Sequence, residues 1–348
     1  MAVLNPKEEI ISLLRGYFTC PLISFLGKRG ILSKLIEDDF SINEFKEITN
    51  LKSFCSILTY FKSIGLLEQI NENKYRTTEV GKKIFRRYGA FNLLHSYGNF
   101  LNLLEKIIFE KNYTGKPSVD RLENVIGSGQ INGKKFFPSA IEMMKQNNKL
   151  SKVIDIACGN GFFLKNDLEN FPSCKIGAVD ISQEAIEETQ KNLTSTFNNI
   201  DLTTVLSDGN KVSNWLPLNI DADNHNGKGV IITMWYFLHE ISKRNPDVII
   251  RFFKSIYKIA PLAEIIIGEI TLVPTDVLVK TRYETIMPEF LFFHEISGQG
   301  VLSWQDYQNI LKQIPYNLSG EKIFDVLKCD GNETPSGFVW HLTPINKK

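Results

Sequence analysis

The feature that most constrains the fold is an alternation of apolar, strand-like runs with helical segments from residue 151 onward. Seven such runs follow one another: KVIDIACG, KIGAVDIS, LTTVLSDG, GVIITMWYFL, AEIIIGEI, KIFDVLKC and GFVWHLTP. Helical segments such as SQEAIEETQKNL lie between most of them, which predicts a mostly parallel sheet with helices on both faces. The last two runs are joined only by DGNETPS, too short for a crossover, so they should pair antiparallel.

The first 90 residues read as short helices followed by a β-hairpin, the pattern of a winged helix. EEIISLLRGYF and SFCSILTYFKSIGLL carry apolar residues at helical spacing. Ser41, with Glu44 three residues later, predicts a capped helix start. GLLEQINENKYRTTEVGKKIF predicts the hairpin. The region is not markedly basic, so a role in dimerisation and in covering the substrate is favoured over DNA binding.

Length, composition and charge limit the classes of protein to which this chain can belong. A length of 348 residues suggests two domains, and 43% apolar with 23% charged residues is typical of a globular protein. A net charge of +1 favours neither nucleic acid nor an anionic membrane as a partner. The five cysteines form no CxxC pair, and the N-terminal residues lack a signal pattern. We therefore expect a soluble, cytoplasmic protein.

These patterns predict three segments. Residues 1–95 are expected to form a winged-helix dimerisation domain, residues 96–148 linker helices and a substrate lid, and residues 149–348 the α/β domain. Within the linker, IGSGQINGKK (residues 126–135) is rich in glycine and polar residues, and it is expected to be a flexible segment rather than a core element.

The stretch VIDIACGNGFFL (residues 153–164) is a strand, a glycine turn and a helix start. Its glycines let the backbone approach a ligand, and the helix N-terminus presents free N–H groups. A dinucleotide fingerprint would need glycine where this chain has Leu164. Asp155 lies just before the turn, where a carboxylate suits a cationic ligand better than a pyrophosphate. Asp180, at the end of the next strand, is placed to hold ribose hydroxyls, and Asp208, after the third, could reach an adenine amine. S-adenosylmethionine fits this set.

The segments D-x-A-C-G-N-G, GAVDIS and SDGN resemble the cofactor motifs of the class I S-adenosylmethionine-dependent methyltransferases. The helical domain in front resembles that of the O-methyltransferase-type small-molecule enzymes. The resemblance implies a Rossmann-like seven-stranded, mostly parallel sheet with an antiparallel last strand, and S-adenosylmethionine as the cofactor. The cofactor residues that it implies are Asp155, Ala157, Gly159, Gly161, Asp180, Ile181, Ser207, Asp208 and Gly209.

Two near-identical stretches, FLHEIS (237–242) and FFHEIS (292–297), carry two of the five histidines. Neither is a zinc-protease HExxH motif, because Lys243 and Gly298 stand where the second histidine would be. A metal site would therefore need both stretches. Two imidazoles and one carboxylate form the facial triad typical of non-haem iron, with zinc as the other metal considered.

The His-Glu pair after the fourth strand, the second histidine and GSGQINGKKFFP upstream resemble the 2-oxo acid C-methyltransferases that act on phenylpyruvate, 2-ketoarginine or branched oxo acids. This implies His239 and His294 as metal ligands, with Glu240 or Glu295 as the carboxylate. The metal would chelate the oxo acid and acidify its C3–H, and the carbon would then take the methyl group. Arg121 or Arg282 would hold the substrate carboxylate, and the enzyme would be a homodimer.

Each element of this hypothesis has a simpler alternative. His239 could act as a metal-free general base in an O- or N-methyltransferase. His294 could then be a hydrogen-bonded structural residue, and Glu295 a solvated one. A winged-helix regulator with a degenerate methyltransferase domain, or a purely structural homodimer, is disfavoured because the cofactor loop is intact.

Overall fold

The computed structural model describes residues 5–37, 39–110, 119–221, 223–281, 284–329 and 332–345. The chain divides into two compact units, residues 1–131 and residues 132–348. Each unit has its own buried core.

The first unit is mostly helical and carries a small sheet. Its helices are α1 (Pro6–Lys28), α2 (Ile31–Leu35), α3 (Leu51–Ser63), α4 (Glu79–Phe85), α5 (Tyr88–Ser96), α6 (Gly98–Leu101), α7 (Leu104–Phe109) and the first part of α8 (Arg121–Met144). Its strands β1 (Asp39–Ser41), β2 (Leu67–Asn71) and β3 (Lys74–Thr77) pair antiparallel in the order β1-β3-β2. This is the predicted winged helix. Ser41 caps a single 3₁₀ turn, Ile42–Glu44, rather than the start of an α-helix, because the backbone leaves the helical region at Phe45.

Helix α1 buries only part of its surface. Its buried residues lie towards its end, at Thr19, Ile23, Ser24 and Leu26. Its first four turns expose large apolar side chains at Ile10, Leu13, Leu14, Tyr17 and Phe18. By length and composition α1 could cross a membrane, but core helices of soluble proteins and signal sequences meet the same criterion.

The segment expected to be a flexible lid is helical throughout. Residues 126–135 lie inside α8, and two of their glycines are points of close packing. A Cβ on Gly127 would lie 2.5 Å from the backbone nitrogen of Leu93, and one on Gly133 would lie 2.8 Å from the ring of Phe162. The segment is thus helical rather than a loop, two of its glycines allow close contacts, and its role as a lid stays a prediction.

The second unit is built on one seven-stranded sheet. The strands are β4 (Lys152–Ile156), β5 (Lys175–Asp180), β6 (Leu202–Leu206), β7 (Val230–Trp235), β8 (Glu264–Ile270), β9 (Tyr316–Phe324) and β12 (Gly337–Pro344), in the order β6-β5-β4-β7-β8-β12-β9. The helices are α9 (Phe162–Asn170), α10 (Gln183–Thr196), α11 (Val212–Asn219), α12 (Leu238–Ser242), α13 (Pro246–Ile259), α14 (Thr275–Thr281), α15 (Met287–Ile296) and α16 (Trp304–Leu311).

The sheet topology brings five strand ends to one edge. Strands β4 to β8 are mutually parallel, so their carboxyl ends and the loops that follow lie together. The last strand, β12, runs antiparallel between β8 and β9. The predicted architecture is thus confirmed. The sixth large strand begins at Tyr316, before the predicted run, because Leu327–Cys329 forms β10 and pairs instead with β11 (Asn332–Thr334).

Candidate active site

The loop after β4 has the conformation of a tight ligand-binding turn. Ala157, Gly159 and Gly161 all have positive φ, at 55°, 58° and 74°. Gly161 is the N-cap of α9, so the first N–H groups of that helix face the loop. Ala157 has an exposed side chain while Gly159 and Gly161 are buried. This geometry suits close approach of a ligand to the backbone.

Asp180, at the end of β5, is organised by the same loop. Its Oδ2 accepts a hydrogen bond from the Gly159 N–H at 3.0 Å, and its Oδ1 accepts from Ser182 N–H at 2.9 Å. A carboxylate has further lone pairs, so both oxygens can still accept from ribose hydroxyls. The next residue, Ile181, is 65% exposed, which leaves an apolar side chain beside that carboxylate.

The turn after β6 places the third group of candidate residues. Ser207 and Asp208 are half-buried, and Asp208 Oδ1 accepts from Asn210 N–H at 3.0 Å. Gly209 is tightly enclosed, since a Cβ there would lie 2.5 Å from Ile156 Cγ2. All the predicted cofactor residues therefore lie in the loops and strand ends along one edge of the sheet.

Asp155 is the deepest of these residues. It is 1% exposed, and its Oδ1 accepts from the Thr233 hydroxyl at 2.6 Å. Burial, with a smaller contribution from nearby Asp180, raises the pKa of Asp155 to about 8. A buried carboxylate next to a glycine turn is compatible with a positively charged ligand.

The two His-Glu stretches converge. His239 lies in α12, directly after β7, and His294 lies in α15. Their ring centroids are 4.8 Å apart, and both side chains are buried. Gly300, after α15, donates its N–H to the His239 carbonyl at 3.1 Å, and the Ser242 hydroxyl donates to the Gly300 carbonyl at 2.6 Å. The glycine loop thus ties the second stretch to the first.

The carboxylate that contacts His239 is Glu269, at the end of β8. His239 Nδ1–H donates to Glu269 Oε1 at 2.8 Å, and the Leu238 and His239 backbone N–H groups donate to Oε2 at 2.8 and 3.2 Å. Ile270 N–H also reaches Oε1, at 2.9 Å. Four donors fix the orientation of this fully buried carboxylate. Its hydrogen bond to Nδ1 leaves His239 Nε2 unprotonated in the neutral ring.

The pKa values of the two histidines shift in opposite directions. Burial lowers the pKa of His239, but the charge and hydrogen bond of Glu269 outweigh it and raise the pKa above the ordinary value. Burial, with His239 nearby, lowers the pKa of His294 to about 3. His294 Nδ1–H donates to the Phe290 carbonyl at 2.7 Å, because that oxygen can only accept. In its neutral form each ring therefore has an unprotonated Nε2.

The two carboxylates predicted beside the histidines do not lie where they were expected, and the two arginines stay untested. Glu240 is exposed, because adjacent residues on a helix point to different sides, and Glu269 occupies the place expected for it beside His239. Glu295 is exposed and pairs with Arg244. Arg121 is an exposed residue at the start of α8, in the first unit, and its substrate role stays a prediction. Arg282 lies outside the described residues.

The predicted facial triad does not assemble from the expected residues. Within the described ranges, no three His, Cys, Asp or Glu side chains form a group that could hold a metal ion. Glu269 uses its oxygens on His239 and on backbone N–H groups. Of the expected ligands, the buried rings of His239 and His294 lie next to each other, and a metal ion there would need further ligands.

Comparison with known families agrees with the two-part organisation. Residues 15–111 match the family model of the AprA winged helix domain, and residues 132–217 match that of the methyltransferase small domain. A 43-residue stretch is 40% identical to the malonyl-[acyl-carrier protein] O-methyltransferase of Halalkalibacterium halodurans. That stretch covers 12% of this chain and only 16% of the relative's length.

Solved structures share the fold over nearly the whole chain. Mitomycin 7-O-methyltransferase aligns over 97% of both chains with a TM-score of 0.58 and 12% identity. An O-methyltransferase family protein from Burkholderia thailandensis aligns over 99% of this chain and 100% of its own, with a TM-score of 0.60 and 11% identity. Human N-acetylserotonin methyltransferase aligns over the full length of both chains, with a TM-score of 0.56 and 12% identity. The chain therefore consists of an AprA-type winged-helix domain followed by a methyltransferase domain, and it has the fold of the class I S-adenosylmethionine-dependent methyltransferases.

Proposed function

We propose that this protein is an S-adenosylmethionine-dependent methyltransferase of a small molecule, with His239 as the general base that takes a proton from a substrate hydroxyl or amine. The observation that carries the proposal is the buried 2.8 Å hydrogen bond from His239 Nδ1 to Glu269, next to the cofactor edge of the sheet. The methyltransferase family match and the O-methyltransferase fold relatives support it.

The cofactor would supply an electrophilic methyl group on a sulfonium. Asp155, Gly159, Gly161 and Asp180 would hold its methionyl and ribose parts. Ile181, Ser207, Asp208 and Gly209 would contact its adenine end, and Ala157 would line the turn. These assignments rest on the strand-end positions described above and on the resemblance of the motifs.

His239 and Glu269 would have different roles. His239 would accept the substrate proton at Nε2, the nitrogen left bare by the bond to Glu269. Glu269 is a positioning residue, because it fixes the tautomer of His239 and stabilises the imidazolium that forms after proton transfer. The low exposure of both side chains strengthens this electrostatic effect.

The experiment combines binding and turnover. Calorimetry should show saturable binding of S-adenosylmethionine to the wild-type protein and to His239→Asn alike. Transfer of a labelled methyl group to a panel of phenols, amines and 2-oxo acids should fall roughly 10²- to 10⁴-fold in His239→Asn, the usual contribution of a general base. Unchanged transfer by the variant would overturn the role of His239, and absence of cofactor binding would overturn the enzyme itself.

A second function, methylation at C3 of a metal-chelated 2-oxo acid, is favoured by one observation. His294 donates Nδ1–H to a carbonyl and His239 donates Nδ1–H to a carboxylate, as metal-ligating histidines commonly do, and each neutral ring keeps an unprotonated Nε2. An iron or zinc ion held there would act as a Lewis acid on the oxo acid.

The two functions give different results for metal and for His294. On the metal hypothesis, purified protein contains about one iron or zinc per chain, chelators abolish turnover, and His294→Ala loses both metal and activity. NMR of the product would place the new methyl on carbon. On the general-base hypothesis, chelators leave turnover unchanged, and the methyl is found on oxygen or nitrogen.

We also propose that the protein is a cytoplasmic homodimer joined through its N-terminal domain. The support is the row of exposed apolar side chains on α1, which a second copy could cover. Light scattering on the purified protein tests the dimer, and cell fractionation tests the location.

A further inference from the structure

Asp155 is a buried acid that lacks a cationic partner in the part of the chain that the structure describes. It lies one residue before the end of β4, flanked in the sheet by Ala178 of β5 and Thr233 of β7. Its Oδ1 accepts a hydrogen bond from the Thr233 hydroxyl at 2.6 Å. Burying a carboxylate without a cation or several donors is costly, so such a group tends to hold a proton.

The charged groups around Asp155 are acidic. Asp180 on β5 and Asp167 on α9 both interact with it electrostatically. Asp155 and Asp180 also interact electrostatically with the buried thiol of Cys158 in the glycine turn and raise its pKa. Hydrogen bonds from Thr233 and the Trp235 indole lower the pKa of Asp155. Burial outweighs them, and the pKa rises to about 8. Near neutral pH an anionic Asp155 therefore needs a positive ligand.

We propose that Asp155 carries a proton in the ligand-free protein and releases it to solvent when the positively charged methionyl end of S-adenosylmethionine binds. The inference rests on the proposed function, since it assumes that this edge is the cofactor site. The O–H bond of the carboxyl breaks, its proton goes to the buffer, and the carboxylate becomes the counter-ion of the bound cation. Asp155 thereby makes the site selective for a charged ligand.

Two consequences follow. A neutral nucleoside that lacks the methionyl end, such as 5′-methylthioadenosine, should bind without releasing a proton. Affinity for S-adenosylmethionine should strengthen roughly tenfold per pH unit up to the pKa of Asp155, so by roughly thirtyfold between pH 6 and 7.5. Measurements should stay below pH 7.5, because the ligand's own α-amino group loses its proton near pH 7.7–8.0.

The test is calorimetry of the full-length protein at pH 7.0 in buffers of different ionisation enthalpy. The expected slope of binding enthalpy against buffer enthalpy corresponds to nearly one proton released with S-adenosylmethionine and to none with 5′-methylthioadenosine. A slope of zero for saturable S-adenosylmethionine binding overturns the inference but leaves the proposed function standing. Failure of S-adenosylmethionine to bind would overturn both.

A matched variant tests whether the proton released on binding comes from Asp155. Asp155→Asn has nearly the same shape and can still accept from Thr233, but it cannot ionise. It should bind without proton release and with an affinity that does not change between pH 6 and 7.5. Release that persists in a folded Asp155→Asn protein would overturn the assignment. The wild-type buffer series remains decisive if this variant does not fold.

Discussion

At the scale of single residues, the buried hydrogen bond from His239 Nδ1 to Glu269 Oε1 is the central contact of the candidate site. His239 follows a strand-like run at a position where this fold places ligand-contacting residues. Glu269 lies inside the apolar run AEIIIGEI, and only the pairing of β7 with β8 brings it to His239. Glu240 was chosen because it follows His239 in the sequence. Adjacent residues on a helix point to different sides, so this choice did not identify the contacting carboxylate. His95–Glu123 and His341–Glu264 pairs also occur, so location at the strand ends, not pairing, marks the site.

The influence of Glu269 on His239 can be measured as a shift of the pH–rate profile. Neutral His239 is the active form, so the rate rises with pH through its pKa. Glu269 raises the pKa of His239. In Glu269→Gln the rising limb should therefore move to lower pH, and the plateau rate should fall at least about tenfold because the imidazolium loses its partner.

Glu264→Gln is a matched control for this measurement. Glu264 accepts from His341 Nε2 at 2.7 Å, a His-Glu pair at the beginning of β8 rather than at its end. In Glu264→Gln the rising limb of the pH–rate profile should stay at the same pH as in the wild type. A limb that does not move in Glu269→Gln would contradict the coupling of Glu269 to His239.

At the scale of elements, the sequence predicted the strand–turn–helix units but not how distant segments meet. The turn after β4 and the acids after β5 and β6 follow from local patterns of glycine and carboxylate. The clamp between α12 and the loop after α15 depends on contacts 58 residues apart, from Ser242 to Gly300. The glycines of residues 126–135 were read as loop residues, but they lie in α8, where Gly127 and Gly133 allow close packing.

Gly300→Ala should open this clamp. A Cβ at Gly300 would lie 1.9 Å from the Arg244 backbone nitrogen, so the loop must move away from His239. We expect a loss of turnover of about 10²-fold, the effect of misplacing a catalytic group by about 1 Å, with cofactor binding retained.

Gly298→Ala in the same loop provides the comparison. Gly298 has φ of 72° and open space around its Cα, so alanine there costs about 1 kcal/mol of stability without displacing the clamp. Thermal unfolding and initial rates measure both variants. Equal turnover in the two would show that the clamp does not position His239.

At the scale of the whole molecule, the fold class followed from the alternation of strands and helices together with a short final connection. The mostly parallel seven-stranded sheet and the winged helix were predicted in this way, whereas the order of the strands in the sheet was not. The sequence analysis predicted a dimer, but such patterns did not indicate which surface would form its interface. The exposed apolar face of α1 appears only when the packing of the first unit is known.

Charge placed on that face should separate the proposed dimer. Leu13 is 73% and Tyr17 80% exposed on α1, so glutamate at both positions would not disturb the fold of a monomer but would oppose burial in an interface. Light scattering should report a dimer for the wild type and a monomer for the double variant. Val80→Glu, an exposed position on α4, should stay dimeric. A wild-type monomer would contradict the proposal.

The most direct test of the catalytic centre is a double-mutant cycle on the rate of methyl transfer, using His239→Asn, Glu269→Gln and the double variant. If Glu269 acts through His239, replacing Glu269 in the His239→Asn background should cost almost nothing further, although it slows the wild-type background at least about tenfold. Losses that simply multiply in the double variant would contradict the account.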